Sequence, residues 1–183
     1  MNVNPVLWRG LMSSKKHTLK VVSDSGFKEE EIDLLEIAAY YFLKELDKIR
    51  PIGGIHGEII VVDSVNKEST NELLSGDMTE IKDFLLDNGT RKNYYVCRLA
   101  DCHNSAETMR TLAHELVHVW QTELGRLKLS DETGWFWRGK SYGKTPYNGT
   151  DDDFNLPWEA EADILDIQLT KKFYKQYFNT GKI

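Results

Sequence analysis

The sequence predicts one domain of the α+β class, in which a small twisted β-sheet packs against helices. A length of 183 residues and a hydrophobic content of 40% suit a single domain with a substantial core. Three long segments carry apolar residues at helical spacing, and short runs rich in β-branched and aromatic residues lie between them. No internal repeat divides the chain, so we treat 1–183 as one domain, with residues 1–16 as an N-terminal arm.

The first hundred residues alternate between β-prone runs and helical patterns. Residues 28–49 place apolar side chains at helical spacing behind an acidic first turn, and they predict a helix that ends before Pro51. Asp77 and Glu80 have the spacing of a capping box and predict a shorter helix, which Gly89 helps to close. Short β-branched or aromatic runs predict three strands, at 18–22, 58–62 and 93–99.

Residues 111–121, TLAHELVHVWQ, contain the pattern H-E-x-x-H at His114, Glu115 and His118. Apolar residues around the pattern recur at helical spacing, and Gly125 after them is a usual helix stop. Residues four apart lie on one face of a helix, so the two imidazoles can bind one zinc ion. Glu115, beside the first imidazole, can reach a water on that zinc. Short patterns also match by chance, but a chance match would show no preference for a periodic, well-capped helix.

The final predicted helix, at 156–177, supplies an acid that can complete the site. Glu159 and Asp163 are four residues apart and share one face beside its apolar stripe. We predict Glu159 as the third zinc ligand and Asp163 as a carboxylate that holds the far nitrogen of a ligand histidine. Glu161 points to another side of the helix and is the fallback ligand. The alternative is that these acids only favour the helix N-terminus through its dipole.

The segment 128–154 has a weaker pattern than the rest of the chain. Glycines recur through it with aromatic residues between them, and this composition predicts a loop or an irregular hairpin. Its aromatic side chains either cover a core or line a cleft, and the sequence leaves both interpretations open.

These motifs resemble those of the gluzincin group of zinc metallopeptidases, which take their third ligand from a Glu on a second helix. The chain is also similar to compact soluble metallopeptidases of phage and bacterial genomes. SprT-like proteases resemble it less, since their third ligand is a His and no His follows His118 here. The resemblance rests on a pattern in two parts, His114-Glu115-x-x-His118 and Glu159-x-x-Ala162-Asp163, within residues 111–121 and 157–163.

The resemblance implies a zincin-like fold and a zinc-dependent peptidase. Zinc would be held by His114, His118 and Glu159, and Glu115 would be the general base for the water that attacks a peptide bond. The strand at 93–99 would border the cleft, where related peptidases pair an edge strand with an extended substrate. Four side chains are candidate donors for stabilising the oxyanion: His103, Arg138, Tyr142 and Tyr147.

Two other functions stay open on the sequence alone. One is a binding or structural protein of the same fold, in which zinc serves stability and the aromatic segment 135–147 recognises a partner. An intact Glu115 argues against it, because a structural zinc site needs no base. The other is a zinc hydrolase that acts on a bond other than a peptide.

Composition narrows the expected partners and location. The net charge of −6 and the lack of long Lys/Arg runs argue against nucleic acid as a partner. No segment approaches the roughly 20 apolar residues of a membrane helix, and the N-terminus lacks the apolar core of a signal peptide. We therefore expect a cytoplasmic protein that acts on a protein or peptide, with no membrane partner. Cys97 and Cys102 lack the C-x-x-C spacing and predict ordinary reduced thiols.

Overall fold

A computed structural model describes residues 16–23, 28–62, 65–66, 73–74, 76–86, 89–100, 105–144 and 155–178. The predicted N-terminal arm therefore lies outside the described residues, apart from its last residue. In chain order, the elements are β1 (Thr18–Ser23), α1 (Glu29–Ile49), β2 (His56–Val62), β3 (Val65–Asn66), β4 (Leu73–Leu74), β5 (Gly76–Leu85), β6 (Arg91–Ala100), α2 (Ser105–Glu123), β7 (Leu127–Ser130), β8 (Gly134–Trp137), β9 (Lys140–Gly143) and α3 (Pro157–Tyr177). This mixture of helices and separate sheets confirms the α+β class.

The main sheet has four strands in the order β1-β2-β6-β5. Strands β1, β2 and β6 are parallel, and β5 runs antiparallel to β6 at the edge. Helix α1 connects β1 to β2, as a crossover between parallel strands requires. Two smaller sheets pair β3 with β4 and order β7-β8-β9.

One face of the main sheet carries the core. Alternate residues point to that face, and the register aligns Val21 of β1, Ile59 of β2 and Cys97 of β6, all of which are buried. Helices α1 and α2 pack on the sheet, and α3 packs on both helices. The layers bury long apolar side chains such as Phe42 and Leu116.

The helices agree closely with the sequence prediction. Helix α1 spans Glu29–Ile49, with three acidic residues in its first turn, and Arg50 caps its end with a backbone bond to Leu46. Helix α3 spans Pro157–Tyr177 and begins with the predicted proline in its first turn. None of the helices in the described segments is long and apolar enough to cross a bilayer.

The helix predicted from Asp77 and Glu80 is wrong, because this segment forms strand β5. The two acids do not cap a helix. Asp77 accepts two hydrogen bonds from Arg98, of 2.9 and 2.6 Å, and Glu80 accepts one of 2.8 Å from Asn93. Both partners belong to β6, so pairing with a distant strand decides the conformation of this segment.

A β-bulge explains why this strand has a helical pattern in the sequence. The register with β6 shifts between Ile81 and Phe84, and Asp83 between them has a φ of 54°. The extra residue brings Ile81 and Phe84 to one face at a spacing of three, which mimics a helical period. These side chains are 40% and 38% exposed, and Phe84 stacks on Tyr94 at 4.5 Å between ring centroids.

The strand predicted at 93–99 exists as β6, but it is an interior strand. Beyond β6 the edge of the sheet is β5, so the expectation that residues 93–99 supply the edge strand beside the cleft is corrected. The sequence could not order these strands, since the pairing of β5 with β6 depends on contacts between separate segments.

The glycine-rich segment forms more regular structure than the predicted loop or irregular hairpin. Strands β7, β8 and β9 make an antiparallel sheet over residues 127–143. Its aromatic side chains cover a small core: Trp135 stacks on Trp158 of α3 at 5.9 Å, and Tyr142 meets the same ring edge-on at 5.1 Å. Residues 145–154 lie outside the described residues.

Candidate metal centre

Helix α2 brings the three residues of the H-E-x-x-H pattern onto one side. His114 and His118 are one turn apart, and their rings meet edge-on at 4.7 Å between centroids. The helix ends as predicted at Gly125, whose φ of 66° lets the Arg126 amide return to the Gln121 carbonyl at 3.0 Å. Arg126, directly after this end, pairs with Glu161 of α3.

Helix α3 adds the third predicted ligand from its first turn. Glu159 Oε2 lies 3.0 Å from His114 Nε2 and 3.2 Å from His118 Nε2, and the two Nε2 atoms are 3.0 Å apart. Three potential donor atoms from two helices therefore form a nearly equilateral triangle. The sequence prediction of His114, His118 and Glu159 as one cluster agrees with this arrangement.

The dimensions of this triangle fit a tetrahedral metal ion. Zinc bonds of about 2.0–2.1 Å to His nitrogen and carboxylate oxygen separate neighbouring ligands by about 3.3 Å. The distances of 3.0 to 3.2 Å are close to that edge length, and two neutral imidazoles with one carboxylate are a usual donor set for catalytic zinc. The residues present therefore fit zinc.

The far nitrogen of His118 is held by a buried amide. His118 Nδ1 lies 3.0 Å from Gln121 Oε1. The orientation of this amide follows from its other end, because Gln121 Nε2 donates to two acceptors, the Trp158 carbonyl and Glu161 Oε2, each at 3.0 Å. His118 must then carry its proton on Nδ1, which leaves a lone pair on the Nε2 that faces the cluster.

The far nitrogen of His114 faces two acids of α3. Asp166 Oδ2 is 3.4 Å from His114 Nδ1, while Asp163 Oδ1 is 3.6 Å away. Asp166 is 1% exposed, and Arg110 donates to both of its oxygens at 3.1 Å. Arg110 also pairs with Asp163 at 3.5 Å. Asp166, which the sequence prediction did not include, is thus the nearer and more buried of the two partners.

Both histidines of the cluster have a raised pKa. Burial lowers the pKa of His114, but hydrogen bonds to Asp166 and Glu159 and the charge of Glu115 outweigh it and raise the pKa to about 10. Burial likewise opposes protonation of His118, and its hydrogen bond with Glu159 turns the net pKa shift upward. Both imidazoles of the cluster therefore bind a proton more readily than a free imidazole does.

Glu115 lies deeper in the same site. Its side chain is 7% exposed, and burial raises its pKa against the opposing charges of His118 and His114. Gly76 of the edge strand packs against it, because a Cβ at this position would lie 3.1 Å from Glu115 Oε1 and 2.6 Å from Thr111 Cγ2. The absence of a side chain at Gly76 thus allows the edge of the sheet to approach the carboxylate.

The candidate oxyanion donors have different positions. His103 and Tyr147 lie outside the described residues. Arg138 pairs with Glu161 at 3.6 Å, and Tyr142 packs on Trp158. These contacts engage both side chains in packing the three-stranded sheet against α3.

Sequence reasoning missed two residues that contact the candidate ligands. Gln121 follows His118 by three positions and so belongs to the same helical face, which is a weak signal. Asp166 is seven positions after Glu159, or two helical turns, and therefore shares its face.

Comparison with protein families, with curated proteins and with solved structures gives no match to this chain.

Proposed function

We propose that this protein is a zinc-dependent metallopeptidase with a zincin-like fold of the gluzincin type. The convergence of His114 Nε2, His118 Nε2 and Glu159 Oε2 within 3.0 to 3.2 Å is the observation that carries the proposal. The pattern of buried hydrogen bonds behind the histidines supports it, because second partners of this kind orient metal ligands.

Glu115 has the properties of the general base in such an enzyme. A zinc ion bound at the cluster would supply a water with a pKa of about 7 and polarise the carbonyl of the substrate. Glu115 would take the proton from this water and pass it to the leaving amine nitrogen. Its carboxylate lies on the same helix as the two candidate ligands and against Gly76 of the sheet edge, and this position supports the role.

The edge of the main sheet supports a peptide as the substrate. Strand β5 has β6 on one side and no pairing strand on its other side among the described residues. Its first residue, Gly76, packs directly against Glu115. An extended peptide that adds to this edge would run past the carboxylate, and backbone pairing of this kind needs little sequence preference.

The deciding experiment compares Glu115→Gln with Glu107→Gln, a matched change at an exposed position on the same helix. Zinc content is measured by elemental analysis, and turnover by cleavage of denatured casein and quenched fluorescent peptide pools. We expect Glu115→Gln to retain zinc and lose turnover, while Glu107→Gln retains both.

Other outcomes separate the alternatives. Wild-type protein that binds zinc but cleaves no peptide would contradict the peptidase and favour a structural zinc site or a hydrolase of another bond. Turnover that survives in Glu115→Gln would remove this residue from the mechanism. Absence of zinc in the wild type after reconstitution would contradict the whole proposal.

A further inference from the structure

Gln121 is the most completely enclosed polar side chain next to the candidate centre. Its exposed fraction is 0%, and its amide makes three hydrogen bonds of 3.0 Å. Burying an amide costs free energy unless its groups are paired, so this site keeps a polar residue only with its bonds in place. The position lies on α2, and two of the three bonds go to α3.

The two ends of this amide contact groups that adjoin different ligands. The oxygen accepts from Nδ1 of His118, a ligand on α2. The nitrogen donates to the carbonyl of Trp158, the residue directly before the ligand Glu159 on α3. One side chain therefore spans the two helices at the level where their ligands meet.

We propose that Gln121 is the positioning residue that aligns His118 with Glu159 before the metal binds. This inference rests on the proposed zinc site and adds a cause for its geometry. A neutral amide suits the task because it offers an acceptor to His118 and donors to α3 at once, whereas a carboxylate can only accept. The amide also fixes the tautomer of His118, whose Nε2 is left free to bind metal.

Glu161 extends this contact to the three-stranded sheet. Its Oε2 accepts from Gln121, and its Oε1 pairs with Arg126 and, at 3.6 Å, with Arg138. The Arg126 guanidinium lies over the ring of Trp137 at 4.7 Å. Contacts beside the three-stranded sheet thus fix Glu161, which accepts a hydrogen bond from Gln121. Gln121 in turn accepts one from His118.

The experiment measures zinc affinity by competition with a chelator of known affinity, and geometry by the visible spectrum of the cobalt-substituted protein. Gln121→Met keeps the volume and removes all three bonds. We expect its zinc Kd to rise by about 10–100-fold, the range for lost partners of metal ligands, with a changed cobalt spectrum. Tyr95→Phe is the control, because it removes one partly buried bond, to Glu123 of α2, without touching a candidate ligand. It should leave both readouts unchanged.

An exchange of partners tests the contact between the helices directly. Gln121→Glu keeps an acceptor for His118 but places a carboxylate against Glu161 and the Trp158 carbonyl, so zinc binding should weaken. Adding Glu161→Gln places an amide donor opposite the new carboxylate at position 121, so donor and acceptor exchange sides. The double variant should therefore bind zinc more tightly than Gln121→Glu alone. If Gln121→Met does not fold, this comparison by itself tests whether Gln121 positions His118 for zinc binding.

Three results would overturn the inference. The first is an unchanged zinc Kd and cobalt spectrum in folded Gln121→Met. The second is a double variant no better than Gln121→Glu. In both cases the wild type still binds zinc, so the proposed function survives. The third is a wild type that binds no zinc, which overturns the inference together with the proposed function.

Discussion

Two buried histidines of this protein, His17 and His118, show what separates a structural imidazole from a candidate ligand. Their exposed fractions are 5% and 8%, so burial does not distinguish them. His17 Nδ1 accepts from the Ile55 amide at 3.2 Å, and its Nε2 faces Asp47 at 3.4 Å. With its proton on Nε2, His17 has a hydrogen-bond partner at both ring nitrogens. Burial lowers the pKa of His17.

His118 differs in the partner of its second nitrogen. With Nδ1 donating to Gln121, Nε2 presents a lone pair to His114 Nε2 at 3.0 Å and to Glu159 at 3.2 Å. Facing lone pairs repel unless a positive charge lies between them. Around His118 the carboxylate raises the pKa, whereas desolvation prevails around His17. The partners of both ring nitrogens, and not burial, therefore distinguish the candidate ligand His118 from His17.

The largest expected effect is on metal content. His114→Ala and His118→Ala should each lose zinc, because each removes one of three converging donors. His17→Ala should keep one zinc per chain, since its two ring nitrogens face the Ile55 amide and Asp47 and not the atoms of the cluster. Elemental analysis after reconstitution and dialysis measures this. Zinc that persists in both ligand variants would remove the contrast between the two histidines.

The acids of α3 should follow in graded order. Glu159→Gln should weaken zinc binding strongly and remove activity, because it takes away the only carboxylate of the triangle. Asp166→Asn should weaken zinc by about 10–100-fold, as expected for the loss of a charge behind a ligand histidine. Asp163→Asn should act less, since its oxygen is 3.6 Å from His114.

Glu161→Gln completes that series. It removes no atom of the triangle, but its single amide oxygen cannot accept from both Gln121 and Arg126, so it should retain zinc and weaken its binding far less than Glu159→Gln. A competitive zinc titration of the four variants side by side gives the order. Release of zinc by Glu161→Gln with retention by Glu159→Gln would reverse the assignment of the third ligand.

The next effect, on stability, should be smaller than the effects on zinc binding. Removal of zinc should lower the melting temperature. The ligands come from two helices, so metal bound to the folded state stabilises it, by about 2.7 kcal/mol when free zinc is about 100 times its Kd. A scan with and without chelator measures the shift. His114→Ala serves as the control and should show no shift, and an equal shift in both proteins would point to an effect of the chelator unrelated to this site.

The smallest expected effect is the pH dependence of stability at His17. Because burial lowers its pKa, the folded state binds the proton less readily than the unfolded state. The contribution of His17 to the free energy of unfolding should therefore be at its maximum above the unfolded pKa of about 6.5, and it should decline as pH falls below that value. Urea unfolding of metal-free protein at about pH 7.5 and about pH 5.5 should show a smaller decline in His17→Gln than in the wild type. An equal decline would exclude His17 as the source.

Local spacing in the sequence was enough to predict the three helices and the placement of His114 beside His118. That Glu159 joins them was predicted from the combination of two separate motifs, and not from local spacing. A helical period relates residues three and four apart, so it can be recognised within one short segment. The same reasoning failed for β5, where a bulge gave Ile81 and Phe84 a helical spacing.

Only the tertiary structure decided which strand lies at the edge and which side chains support the ligands. Strand order depends on pairing between β5 and β6, and no local pattern records it. Gln121 meets Trp158 across 37 positions of the chain, and His114 meets Asp166 across 52. Such contacts arise because α2 and α3 pack side by side, and packing brings together residues that the sequence keeps far apart.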